Sequence, residues 1–245
     1  VENVKEACRI SVSILKELKK LVVLGNTPNQ INQLAEDLCL QYKVLPSFKG
    51  VAGTKVNFPG ACCVCVNEET LHAIPFSDRE FQSGDIVKVD FGVIYKGIHT
   101  DHCVTVGLGE LSKDERRLIE TTKLAVDTAI KQAYAGNRVG DISNALSTIS
   151  HMAGFDYIRG YAGHGIGPSL WEDPSIPYHG EKGTGPELKE GLLICIELQL
   201  SLGGGKLSLD KDGWTLRTSD MTKTAMFEHV VLVQKQKPLV LTRLD

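Results

Sequence analysis

VKVDFGVIYKGIHTDHCV, residues 87–104, reads as two short strands around a turn. Apolar residues alternate on both sides of Tyr95-Lys96-Gly97-Ile98, the pattern of an antiparallel hairpin. With Lys96-Gly97 as a two-residue turn, the numbers of opposed residues add to 193. Asp90 then faces Cys103, and Gly92 faces Asp101. Directly opposed residues share a face, and so do residues two apart on one strand. Asp90 and Asp101 therefore point the same way, as diagonal neighbours about 7 Å apart at the backbone, with Gly92 leaving space between them. Two like charges on one buried face are unfavourable unless something positive joins them, and a divalent metal is the economical partner. The other reading of the hairpin alone is that both acids lie on a solvated face.

The surrounding chain is of ordinary globular composition: 245 residues, 42% hydrophobic and 23% charged. That length buries one large core or two small ones. A net charge of -3 gives no electrostatic case for nucleic acid or an anionic membrane as partner. No segment offers the ~18 consecutive apolar residues of a membrane span. VENVKEACRI, at the N-terminus, is mixed and charged, unlike a signal peptide. The seven cysteines, an odd number, do not suggest a disulfide framework or a zinc knuckle, and the expected compartment is the cytosol. The cluster CCVC (62–65) is read as strand packing.

Residues 2–22 carry Val4, Ala7, Ile10, Ile14 and Leu18 at helical spacing. A second helix is expected from Thr27-Pro28, an N-cap followed by proline at the first helical position. Residues 50–106 are strand-like. A third helix is expected from Ser112, with Glu115 completing a capping box, to about Ala135. A fourth covers roughly 140–153 and stops at Gly154, and strands and glycine loops fill 157–235. The tail KPLVLTRLD is expected to cover a sheet edge. The order helix, helix, strands thus occurs twice. LGNTPNQI (24–31) is similar to AGNRVGDI (135–142) at an offset of 111, and FKGVAG (48–53) to IRGYAG (158–163) at 110. These matches point to a duplicated α+β unit packed as one domain over residues 1–245. Its pseudo-twofold halves would be about 1–110 and 111–245, with the site in the cleft between them.

Three further residues join the two aspartates. GYAGHGIGP (160–168) sets His164 inside a run of glycines, which lets backbone approach a ligand closely. LLICIELQL (192–200) places Glu197 in the middle of an apolar strand, and TAMFEHVVLV (224–233) does the same with Glu228. A carboxylate there is costly unless paired or metal-bound. Four carboxylates and one imidazole balance two divalent cations and suit a dinuclear site. Oxygen-rich ligation with a single nitrogen favours Mn or Fe, with Co and Zn able to compete.

FPGACCVCVNEETLHAIP (58–75), the Asp90–Asp101 pair, GHGIG (163–167), IEL (196–198), DGWTLRTSD (212–220) and FEH (227–229) together resemble a type I methionine aminopeptidase, over nearly the whole chain. The resemblance implies the pita-bread fold, with two helix-helix-strand units around a central antiparallel sheet. It implies five metal ligands: Asp90, Asp101, His164, Glu197 and Glu228. It implies a monomer that hydrolyses the N-terminal methionine of nascent chains and peptides with a hydroxide held by two metals. Glu197 would accept a proton as well as ligate, and His72 would hydrogen-bond near the scissile amide. The methionine pocket would involve Phe58, Cys63, Leu170 and Trp214. For His72 the plainer reading is a strand-end histidine, and for Trp214 simple packing.

The chain departs from the family pattern in two places. A second substrate-facing histidine is expected seven residues after His164, where this chain has Trp171. Tryptophan donates one hydrogen bond but neither accepts one nor carries a proton, so slower turnover or changed specificity is expected. The nearest later histidine, His179, would need a loop rearrangement. FKGVAGTKVNFP (48–59) also lacks a tyrosine expected shortly before Phe58. Two other functions fit the same fold: an aminopeptidase or X-Pro peptidase of different selectivity, and a peptide-binding module without catalysis. The complete ligand set speaks against the second. GGGK (203–206) is read as a hairpin loop rather than a phosphate cradle, and there is no GxSxG or HExxH. His99 shares the acid face by parity, as a plain strand histidine or a support to the site; Cys103 shares that face too.

Overall fold

The computed structural model describes residues 2–244. Helix α1 (Glu2–Lys20) buries Ala7, Ile10, Ile14 and Leu18 along one stripe. Helix α2 (Pro28–Tyr42) begins at N-cap Thr27, whose side chain and that of Gln30 form a reciprocal capping box, and ends on left-handed Lys43. Seven strands follow: β1 (Leu45–Pro46), β2 (Cys63–Val66), β3 (Glu69–Leu71), β4 (Ile86–Phe91), β5 (Val93–Tyr95), β6 (Ile98–His99) and β7 (His102–Gly107). The order then repeats. Helices α3 (Lys113–Ile130) and α4 (Val139–Ala153) precede β8 (Asp156–Tyr157), β9 (Ala162–Gly165), β10 (Glu172–Pro177), β11 (Leu193–Ser201), β12 (Leu207–Leu209), β13 (Leu216–Thr218), β14 (Thr224–Leu232) and β15 (Leu239–Val240).

The central sheet is antiparallel, in the order β10-β9-β11-β14-β7-β4-β2. Its strands send alternate residues to opposite faces. Val87, Val89 and Phe91 on β4, with Ile196 and Leu198 on β11, join one apolar cluster with Ile14 and Leu18 of α1 and Leu118 of α3. That core covers one face with helices. The other set, Asp90, Glu197 and Glu228, faces away from it. This explains why strands that each carry a single acid still read as apolar runs: both faces are covered. The tail expectation holds, since β15 pairs with Val231 and Leu232 at the end of β14.

The hairpin register is as expected, with Asp90 opposite Cys103 and Ile94 opposite His99. It is not one ribbon, however. β4 and β7 belong to the central sheet, while β5 and β6 peel off into a small sheet with β1. The break falls at Gly92, where a Cβ would stand 1.8 Å from the carbonyl oxygen of Thr100. Gly92 is therefore required by close backbone approach, not as a gap between the acids.

Two boundaries differ from expectation. Helix α3 stops at Ile130 rather than near Ala135. The amides of Ala135 and Gly136 donate to the carbonyls of Gln234 and Leu188, and the Asn137 side chain donates to the Gln132 carbonyl at 2.8 Å. The amides of Gln132, Ala133 and Tyr134 bond within tight local turns, and distant carbonyls claim only those of Ala135 and Gly136. GGGK is a crossover rather than a hairpin loop, carrying the chain from β11 in the central sheet to β12, which pairs with β13 in a third sheet. All seven cysteines are buried and unpaired; Cys62 and Cys65 fall in separate apolar clusters. Among the described residues, no helix is long and apolar enough to cross a membrane.

Candidate active site

The sheet face away from the helices borders a cleft of about 670 Å³. Register explains what gathers there. Glu197 on β11 is directly opposite Glu228 on β14; Glu228 is opposite Cys103 on β7, which is opposite Asp90 on β4. Four neighbouring strands therefore present their polar residues in one row. β9 pairs with the other edge of β11, setting His164 opposite Cys195. Asp101 enters from the break before β7. The five residues expected to ligate metal all line the cleft. The solvated alternative for the hairpin is excluded, since Asp90 and Asp101 are 8% and 5% exposed.

The site is short of positive charge. Carboxylate oxygens of Asp90, Asp101 and Glu228 lie within 4.8 Å of one another. One oxygen of each (Asp90 Oδ1, Asp101 Oδ1 and Glu228 Oε1) is buried without a hydrogen-bond partner. Such groups are costly, and a cluster of them marks a place where a cation belongs. His164 Nδ1 lies 2.9 Å from the Gly165 carbonyl, so this nitrogen carries the hydrogen and Nε2 presents its lone pair to the acids. Nε2 is 3.9 Å from both Asp101 Oδ2 and Glu228 Oε1, too long for hydrogen bonds but suited to sharing an ion. Burial, together with the neighbouring acids, pushes the Asp101 and Glu228 carboxyls well above the usual range. Burial also raises Asp90 and lowers His164. Without a cation the cluster favours its uncharged forms. The donor set fits a divalent ion held by hard oxygens and one nitrogen.

Glu197 differs from the other three acids because both of its oxygens are held. The Tyr178 hydroxyl lies 2.7 Å from Glu197 Oε1 and 2.7 Å from Gln199 Oε1, and Gln199 Nε2 donates to Glu197 Oε2 at 3.0 Å. Three contacts need three hydrogens; Tyr178 and Gln199 supply two, so the ring closes when Glu197 carries the third. Burial acts in the same direction, pushing Glu197 up to about 8. Neither Tyr178 nor Gln199 was expected at the site. Gln199 had a signal, being two residues beyond Glu197 on the same strand face; Tyr178, just past β10, had none.

His72 follows β3 with a φ of 54°, a left-handed conformation that a non-glycine residue keeps when its surroundings impose it. Its ring lines the cleft between Tyr161 and Trp214, at centroid distances of 5.7 and 6.1 Å. Burial lowers it to about 4, so it is a neutral imidazole at pH 7. Phe58, Cys63, Leu170 and Trp214 also line the cleft, as do Phe48 and Val51, which the sequence had not singled out. Trp214 packs edge-on to Phe58 at 5.2 Å and donates from Nε1 to the Val56 carbonyl. Trp171 lines the cleft mouth and is 55% exposed. His179 cannot stand in for the missing histidine, because it stacks on Tyr157 at 5.6 Å. His99 is outside the lining residues; its amide donates to the Gly167 carbonyl, which ties β6 to the loop after His164.

Comparison with known proteins agrees with this geometry. The model of metallopeptidase family M24 matches residues 2–235. The methionine aminopeptidase of Clostridium acetobutylicum is 35% identical over 242 residues, 99% of this chain and 95% of that one. Methionine aminopeptidase 1 of Bacillus subtilis is 37% identical over 239 residues, 98% of this chain and 94% of its own. The crystal structure of methionine aminopeptidase from Thermotoga maritima superposes with a TM-score of 0.94 at 36% identity, covering 99% of this chain and 96% of that one. Prolidase from Pyrococcus furiosus, at 20% identity and a TM-score of 0.78 over 64% of its length, shares the fold alone. The chain has the pita-bread fold and belongs to metallopeptidase family M24, among its methionine aminopeptidases.

Proposed function

We propose that this chain removes N-terminal methionine from peptides and nascent chains, using two divalent cations held by Asp90, Asp101, His164, Glu197 and Glu228. The observation that carries the reading is the convergence of three unpartnered buried carboxylate oxygens and the free nitrogen of His164 on one cleft. Bound divalent cations supply an acidified water as nucleophile and positive charge for the scissile carbonyl. Glu197 accepts a proton, because its ring with Tyr178 and Gln199 is complete once it carries one. Neutral His72 donates a hydrogen bond to the charge that develops at the scissile amide. Phe58, Cys63, Leu170 and Trp214 form the apolar end that takes the methionine side chain. Mn and Fe suit the donor set best, followed by Co and Zn. The working state is a monomer with one catalytic domain, acting on neither nucleic acid nor membrane. Seven unpaired thiols suit the cytosol.

Mass spectrometry of a Met-Ala-Ser peptide tests this reading. Protein stripped of metal should release no methionine, and reloading with Mn²⁺ should restore release. Tight Mn²⁺ uptake without release would overturn methionine hydrolysis and favour a different N-terminal residue or a binding role.

Trp171 is proposed to slow the reaction, since its indole offers the substrate one donor and no proton exchange where an imidazole would offer both. Trp171→His should raise kcat on Met peptides on the order of a hundredfold, the low end of what one acid–base group contributes. A variant no faster than its parent would count against that role.

A further inference from the structure

Of the four acids in the site, Glu197 alone has both oxygens tied to protein groups, and those groups come from two separate segments. Gln199 is on β11 itself and fully buried; Tyr178 follows β10 and is 2% exposed. The clamp is therefore dry, and water has no access to replace a lost partner. Each carboxylate oxygen has two lone pairs. The clamp takes one on each, leaving one on each free. When Glu197 is ionised, the single hydroxyl hydrogen of Tyr178 goes to the charged oxygen rather than to the amide carbonyl of Gln199, because a hydrogen bond to an ionised acceptor is roughly twice as strong.

We propose that Tyr178 and Gln199 are positioning residues for Glu197, fixing its carboxylate so that one lone pair on each oxygen is presented to a divalent cation. This rests on the reading of Glu197 as a ligand. Groups that orient ligands in this way typically change metal affinity by about 10–100-fold when removed.

The test is calorimetric titration of Mn²⁺ into the metal-free full chain, with no peptide present. Tyr178→Phe and Gln199→Met should each weaken at least one equivalent of Mn²⁺ by about 10–100-fold. In a Glu197→Gln background, adding Tyr178→Phe should produce no further loss. Parent-like affinity in both clamp variants would overturn the proposal. So would an equal loss in the Glu197→Gln background, because the effect would then be structural. Should Tyr178→Phe fail to fold, judged by melting of the metal-free protein, Gln199→Met carries the same comparison. If Glu197→Gln itself binds Mn²⁺ like the parent, the ligand reading fails along with the clamp. If Glu197→Gln is weakened and the clamp variants are not, the clamp alone fails.

Discussion

Replacing Asp101 by asparagine should lower kcat/KM on Met-Ala-Ser about a thousandfold in the presence of Mn²⁺, since a metal ligand commands several kcal/mol of charge stabilisation. Asp101 sits among the other ligating groups. Its oxygens approach those of Asp90 and Glu228, and His164 Nε2 lies 3.9 Å away. Asparagine keeps the shape but removes the charge and one acceptor. The same substitution should raise the melting temperature of the metal-free protein at pH 8. Its carboxyl is pushed well above the usual range by burial and by Glu228 and Asp90, so the parent must either keep a proton or bury a charge there. Opposite signs for activity and metal-free stability would mark Asp101 as kept for function. A variant that stays active, or that melts lower at pH 8, would contradict this account.

Saturating metal should raise the melting temperature of the stripped protein by about 10–20 °C. Two ions at a hundred times their dissociation constants contribute roughly 2.7 kcal/mol each, and a chain of this size gains about 2–4 °C per kcal/mol. The pH dependence of the metal-free form follows from two opposed sets of groups. Asp90, Asp101, Glu197 and Glu228 have raised folded values. The stability they contribute is present at low pH and lost as pH rises towards those values. His72, His99, His102, His164 and His229 have lowered folded values. In the unfolded chain they take up protons below about pH 6.5, so their effect on stability rises with pH. The sets offset one another between about pH 5 and 6.5. From pH 7 to 8 the acids dominate, and metal-free stability should fall by about 1.4 kcal/mol per retained proton per pH unit. Bound metal removes those protons, so the loaded protein should show little of this slope. Melting curves at pH 7.0, 7.5 and 8.0, with and without Mn²⁺, decide it; a flat metal-free profile would show that the acids do not retain protons.

By itself the sequence determined the elements whose signals are local. The N-cap at Thr27, the capping box at Ser112, the stop at Gly154 and the register about Lys96-Gly97 each depend on a few adjacent residues. It also marked the four acids and one histidine now facing one another, because a polar residue in an apolar strand stands out wherever its partners are. What tertiary structure alone decided are features set by contacts distant along the chain. Helix α3 ends at Ile130, tight local turns follow, and the amides of Ala135 and Gly136 go to the distant carbonyls of Gln234 and Leu188. The hairpin divides between two sheets because Gly92 meets the Thr100 carbonyl, and GGGK crosses from one sheet to another. Tyr178 became part of the site only when β10 came alongside β9 and brought its hydroxyl to Glu197. No periodicity or spacing announces a tyrosine 19 residues from its partner; that pairing exists in the order of the strands across the sheet, which folding sets through long-range burial.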